Sequence, residues 1–233
     1  MKDWEQLSLF PDEDLAEQNP LMTLDEMREY EWYVSWSGGK DSTATIILMH
    51  EYNIPIKRIT YIRMMYDNNT PATLPVMTDF VDRATEVLRG WGYDVQIIPS
   101  NMTAKYLAER PYKKVLKKEN EKRIGYAGGI ARFIRGACEF TKVKMTTIKG
   151  TQEKDAYSMI GYASDETKRI HRLGGKNQSI LVTLGITEDM AKEICDKNGL
   201  LSPLYGLHSI GRDGCWFCPN CTKRERESPF REA

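Results

Sequence analysis

No stretch of these 233 residues approaches the roughly eighteen uninterrupted apolar residues that a membrane-spanning helix needs, which excludes an α-helical membrane span. Net charge is also missing. Lys and Arg number 33 and Asp and Glu number 33, so the whole chain offers no field for a polyanion, and only local charge can attract one. The opening MKDWEQLSLFPDEDLAEQ is acidic and lacks a hydrophobic signal core, so the expectation is a cytoplasmic protein with no secretion signal. Cysteine is scarce, and three of the five lie between Cys215 and Cys221. That crowding does not resemble a secreted disulfide framework, and in a reducing compartment it suits metal binding.

Residues 1–29 carry acids and little periodicity and read as an N-terminal arm. From there the pattern alternates. Trp32–Trp36 reads as a strand, Asp41–Tyr52 as a helix and Arg58–Met65 as a second strand. Pro75–Trp91 has helical spacing and stops at Gly92, Asp94–Pro99 reads as a third strand, and Tyr157–Ala163 as a fourth. Helices are expected over Gly128–Phe140, Lys144–Lys154 and Thr187–Asn198, the last with Thr187 as N-cap and Gly199 beyond its end. This order predicts an α/β fold, a parallel sheet flanked by helices. Residues 30–200 form one α/β domain in this reading, and 201–233 a cysteine-rich segment packed on it.

Thr103–Arg123 interrupts the alternation with eight basic and three acidic residues, interleaved with Tyr106 and Tyr112. Such a segment suits a nucleic-acid backbone, but charge runs usually face water, and the expectation is a solvated helical insertion.

The most informative stretch is SWSGGKDSTA, where a strand turns into a helix. Glycines let a backbone approach its guest, amides point inward, and the helix N-terminus adds partial positive charge, so phosphate is the natural ligand. Hydroxyls of Ser37, Ser42 and Thr43 suit phosphate oxygens, Lys40 brings a positive charge, and Asp41 suits Mg²⁺. The spacing fits neither G-x-x-x-x-G-K-[ST] nor G-x-G-x-x-G.

Ser37-Gly38-Gly39-Lys40-Asp41-Ser42 resembles the SGGxDS signature of the PP-loop, or adenine nucleotide alpha hydrolase-like, superfamily. Two further segments resemble its phosphoadenosine phosphosulfate (PAPS) reductase-like branch. CEFTKVK, from Cys138 to Lys144, is similar to that branch's Cys-Thr-x-x-x-Lys element, and GYASDETKR, from Gly161 to Arg169, to its Gly-Ile-Arg-x-Asp-Glu-Ser-x-x-Arg segment. The resemblance implies a Rossmann-like sheet with ATP or a related adenine nucleotide in the loop. It makes Gly161, Asp165, Glu166 and Arg169 pocket residues and Lys40 and Asp41 the catalytic pair. Tyr162 and Ala163 stand where the branch has Ile and Arg, so one phosphate or sulfate contact has no counterpart here.

Cys215, Cys218 and Cys221 form C-x₂-C-x₂-C, three ligands that want a fourth. The resemblance points to Cys138, because cluster-bearing reductases combine this element with C-terminal cysteines, and implies a 4Fe–4S cluster. Four thiolates hold zinc equally well, so zinc is the alternative. Cys195 reads as a core residue.

The Glu-Cys-Gly-Leu-His motif whose cysteine attacks sulfonate sulfur is absent. The resemblance therefore implies an ATP pyrophosphatase or sulfurtransferase-type enzyme that adenylates a nucleic-acid or protein acceptor during sulfur transfer. Two alternatives stand beside it: reductive cleavage of PAPS or its 5′-phosphosulfate relative, and a nucleotide- or nucleic-acid-binding module with structural zinc.

Overall fold

The computed structural model describes residues 21–105, 111–115, 122–126, 144, 147–206 and 215, the two short segments 111–115 and 122–126 by their backbone. The chain order of its elements begins with α1 (Leu24–Arg28), β1 (Trp32–Trp36), α2 (Lys40–Glu51), β2 (Ile56–Arg63), α3 (Pro75–Gly90) and β3 (Val95–Pro99). Next come β4 (Pro111–Val115), β5 (Lys122–Tyr126), β6 (Tyr157–Met159), α4 (Thr167–Ile170), β7 (Asn177–Gln178), α5 (Ile180–Thr183), α6 (Glu188–Lys197) and a 3₁₀ turn (Pro203–Tyr205).

Five strands form one parallel sheet in the order β3-β2-β1-β6-β7. β1 sits at its centre, with Trp32 opposite Ile56 on one side and Tyr157 on the other. The chain lays strands outward from β1 through β2 to β3, then returns to the other flank of β1 with β6. At such a reversal, here beyond the carboxyl ends of β1 and β6, open α/β sheets receive ligands.

Both faces of β1 are covered, so WYVSW is apolar almost throughout instead of alternating. Its two tryptophans bury their rings and satisfy their polar ends. The Trp32 indole donates to the Met27 carbonyl at 2.8 Å and the Trp36 indole to the Thr43 hydroxyl at 2.9 Å. Every residue of α2 from Ser42 to Met49 is buried, because β1 lies on one side and α5 and α6 on another. α3 is instead one-sided. Met77, Phe80, Val81, Ala84 and Leu88 recur at helical spacing and face the core, while Pro75 opens the helix where its missing N–H costs nothing. α6 begins at Thr187, whose hydroxyl accepts from the Met190 amide, and ends before Gly199 at φ +67°. This matches the capping pattern expected from sequence.

Elsewhere the structure differs from the sequence expectation. Residues 24–28, expected within an arm, form α1 behind a capping box between Thr23 and Glu26, and Met27 is fully buried. The fourth strand stops at Met159, well short of Ala163, and just beyond it Gly161 passes against the start of α2. The insertion expected as a helix contains an antiparallel pair, β4 with β5, in which Lys114 lies opposite Arg123. Lys-rich composition masked that pairing, since like charges at adjacent positions fit a helix surface as readily as a hairpin. The helix expected over Gly128–Phe140 falls outside the described residues. Among the described residues no helix is long and apolar enough to cross a membrane.

Candidate functional site

The glycine loop stands at the carboxyl end of β1, the central strand, and opens the buried helix α2. Gly38 adopts φ +79°, a conformation that suits glycine, and presses on α3 so closely that a Cβ would lie 2.3 Å from the Met77 methyl. Two serines tie the turn together. The Ser37 amide donates to the Ser42 hydroxyl at 3.2 Å, the two hydroxyls meet at 2.9 Å, and the Gly39 amide donates to the Ser37 hydroxyl at 3.2 Å. Gly39 is the N-cap of α2, and no side chain of its own closes the helix end, the condition under which an anion can occupy it. Thr43 points elsewhere: it is buried, with its hydroxyl engaged by Trp36, and so holds the loop to the core.

Lys40 is the point at which distant parts of the chain converge on the loop. Its ammonium donates to both Asp41 carboxylate oxygens, at 2.9 and 3.0 Å, and to Glu188 Oε2 at 2.7 Å. Its amide donates to the Tyr205 hydroxyl at 3.1 Å, and its carbonyl accepts from the Cys195 thiol at 3.2 Å. Burial alone would lower the Lys40 ammonium, but its hydrogen bonds to Glu188 and Asp41 outweigh it and hold the group above its ordinary value. Burial pushes the Asp41 carboxyl up despite its bond to Lys40. The Cys195 thiol is pushed up to about 12, by burial first and by the Asp41 charge second. It is a protonated core residue.

The second segment arrives from β6. Gly161 passes so close to α2 that a Cβ would lie 2.8 Å from the Ser42 nitrogen and 2.9 Å from the Asp41 carbonyl carbon. Its glycine serves helix contact. Asp165 accepts from the Glu188 amide at 3.2 and 3.4 Å, closing the first turn of α6. Through Glu188 it is therefore two links from Lys40. Glu166 and Arg169 pair at 2.9 Å on α4, and the other Glu166 carboxylate oxygen is buried with no hydrogen-bond partner among the described residues. The Arg169 guanidinium lies 5.7 Å from the ring centroid of Tyr162, the residue that stands in place of an expected aliphatic one.

Of the four proposed metal ligands, Cys138, Cys218 and Cys221 lie outside the described residues. Cys215 bridges to Thr73, in the connection that leaves the carboxyl end of β2. It is half-buried against Ile62, Met64 and Ala72 on the same edge of the sheet as the glycine loop. No group of three or more metal-ligating side chains occurs among the described residues.

Glu188 and Tyr205 were not legible as site residues. Glu188 reads in sequence as a first-turn acid that complements the helix dipole, and nothing in PLYG marks Tyr205.

No family model matches the chain, and no curated protein matches it. Among solved structures it is similar to the U34-tRNA thiolase NcsA of Methanococcus maripaludis, determined with its 4Fe–4S cluster. The TM-score is 0.46 at 16% identity, covering 95% of this chain and 69% of that one.

Proposed function

We propose that the chain binds ATP, or a related adenine (sulfo)nucleotide, in the crevice between the 37–43 loop and the 161–169 segment, and acts as a PP-loop enzyme of the ATP pyrophosphatase type. One observation carries the reading: the SGGKDST turn stands at the carboxyl end of the central strand, at the reversal of strand order, and leads into a twelve-residue helix whose N-cap, Gly39, supplies no side-chain cap. An acceptor atom would attack the α-phosphorus, the bond from that phosphorus to the αβ-bridging oxygen would break, and pyrophosphate would depart with the electron pair. Lys40 and the first amides of α2 face the charge that develops on the leaving group. Asp41 suits the Mg²⁺ that accompanies the nucleotide.

Sulfur transfer is the downstream chemistry we assign, with Cys138, Cys215, Cys218 and Cys221 holding a 4Fe–4S cluster and zinc as the competitor. Iron content near four per chain with a broad band near 400 nm supports the cluster; one zinc in a colourless protein makes the cysteines a structural staple. Reductive cleavage of PAPS is the weaker reading, because Cys195, the thiol left over, is buried and protonated. The strands of the β4–β5 pair contain Lys113, Lys114, Lys122 and Arg123 and no acid, which favours a nucleic acid over a protein as the acceptor.

Pyrophosphate release from ATP, measured with the full chain and candidate acceptors, tests the assignment. Lys40→Ala and Ser37→Ala should each reduce it by at least about a hundredfold. Turnover at the wild-type rate in either variant would sink the assignment.

A further inference from the structure

Lys40 has three ammonium hydrogens. Its acceptors are both Asp41 oxygens and Glu188 Oε2, so the cation a phosphate needs is engaged by carboxylates. The two acids are not equivalent. Asp41 adjoins Lys40 in sequence and its side chain is 25% exposed, whereas Glu188 comes from α6 and is 48% exposed. Glu188 is the partner that can turn into solvent and release Lys40.

Charge adds a second constraint. Lys40, Asp41 and Glu188 together carry one positive and two negative charges, and Asp165 adds a further negative charge behind Glu188. The partial charge of the α2 N-terminus offsets only about half a unit of this. Free ATP would bring about four negative charges beside the carboxylates of Asp41, Glu188 and Asp165 that surround Lys40, and its divalent-cation complex about two.

Resting on the nucleotide reading above, we propose that Glu188 is a specificity-determining residue: it competes with phosphate for Lys40 and makes the loop discriminate against polyphosphate that arrives without its divalent cation. Glu188→Gln removes the charge and keeps the shape of the side chain and the backbone amide that Asp165 accepts from. It removes one of the two carboxylates that hold Lys40 and leaves Lys40 and Asp41 balanced in charge, with Asp165 behind them.

Calorimetric titration of the full chain separates the outcomes, with ATP in excess Mg²⁺, ATP in chelator, and adenosine as ligands. Wild type should bind Mg²⁺-free ATP more weakly than the complex. E188Q should narrow that gap roughly tenfold by tightening the Mg²⁺-free form, with adenosine affinity unchanged. E188D, which retains the charge, should keep a gap close to the wild-type width. A purely structural Glu188 would weaken both forms alike in E188Q, and an unchanged gap overturns the proposal. If E188Q does not fold, E188A carries the same expectation. Wild type that binds ATP in neither condition overturns the nucleotide reading and this proposal with it, whereas wild type that binds ATP while E188Q leaves the gap intact overturns this proposal alone.

Discussion

At Gly161 an added Cβ would meet backbone atoms of Asp41 and Ser42, within 2.9 Å, and backbone cannot swing aside as a side-chain tip can. Gly161→Ala should therefore destabilise the protein by roughly 1–3 kcal/mol and lower its melting temperature by roughly 2–12 °C, as read by calorimetry. A melting temperature equal to wild type would show that β6 and α2 are not packed this tightly. Cys195 makes a second case at this scale. Its thiol is raised from 9.0 to about 12, so the folded state binds its proton more tightly than the unfolded chain. The sign follows: that contribution is complete below about pH 9 and is lost as pH rises toward 12. Lys40, also raised, acts in the same direction at alkaline pH. The urea midpoint should fall steadily above pH 9, and peptide mapping should find Cys195 unlabelled by iodoacetamide at pH 8 until the chain unfolds.

Among elements, the β4–β5 pair is separate from the five-stranded sheet, and among the described residues no further strand joins it. Replacing Lys113, Lys114, Lys122 and Arg123 with Gln should leave cooperative unfolding of the main domain intact. It should weaken binding to a single-stranded oligonucleotide and reduce the slope of log affinity against log salt by up to about three, measured by anisotropy. An unchanged slope would remove the pair from any nucleic-acid surface. The elements most legible in sequence were those whose local pattern and burial agree. β1 is a short apolar strand bounded by Ser37-Gly38, and α6 has both caps written in its residues. β7 and α5, two and four residues long, carry no periodicity that could be read, and they exist because neighbours hold them: the Ile160 amide donates to the Gln178 carbonyl beside β6, and the Ser179 hydroxyl donates to the Tyr162 carbonyl.

Across the whole molecule, the C-terminal half closes the loop through Tyr205, Cys195 and Glu188, each on a different hydrogen-bonding group of Lys40. Loss of any one bond should register at the loop. Tyr205→Phe leaves the Lys40 amide without its acceptor, at a cost of about 1 kcal/mol, and should raise the hydrogen-exchange rate of that amide several-fold while the β1 amides stay protected. Equal exchange in wild type and variant would mean that the contact contributes nothing to order in the loop.

By itself the sequence determined the parallel α/β class, the place of the glycine loop at a strand-to-helix junction, and the clustering of cysteines, because each depends on residues within one turn or one strand of each other. The tertiary structure decided which distant side chains meet at Lys40, since every partner except Asp41 lies 148 to 165 positions away and no local periodicity encodes that approach. It likewise decided that Thr43 faces the core and that Gly161 serves packing, because the strand order places β6 beside β1 and brings its end against the first turn of α2.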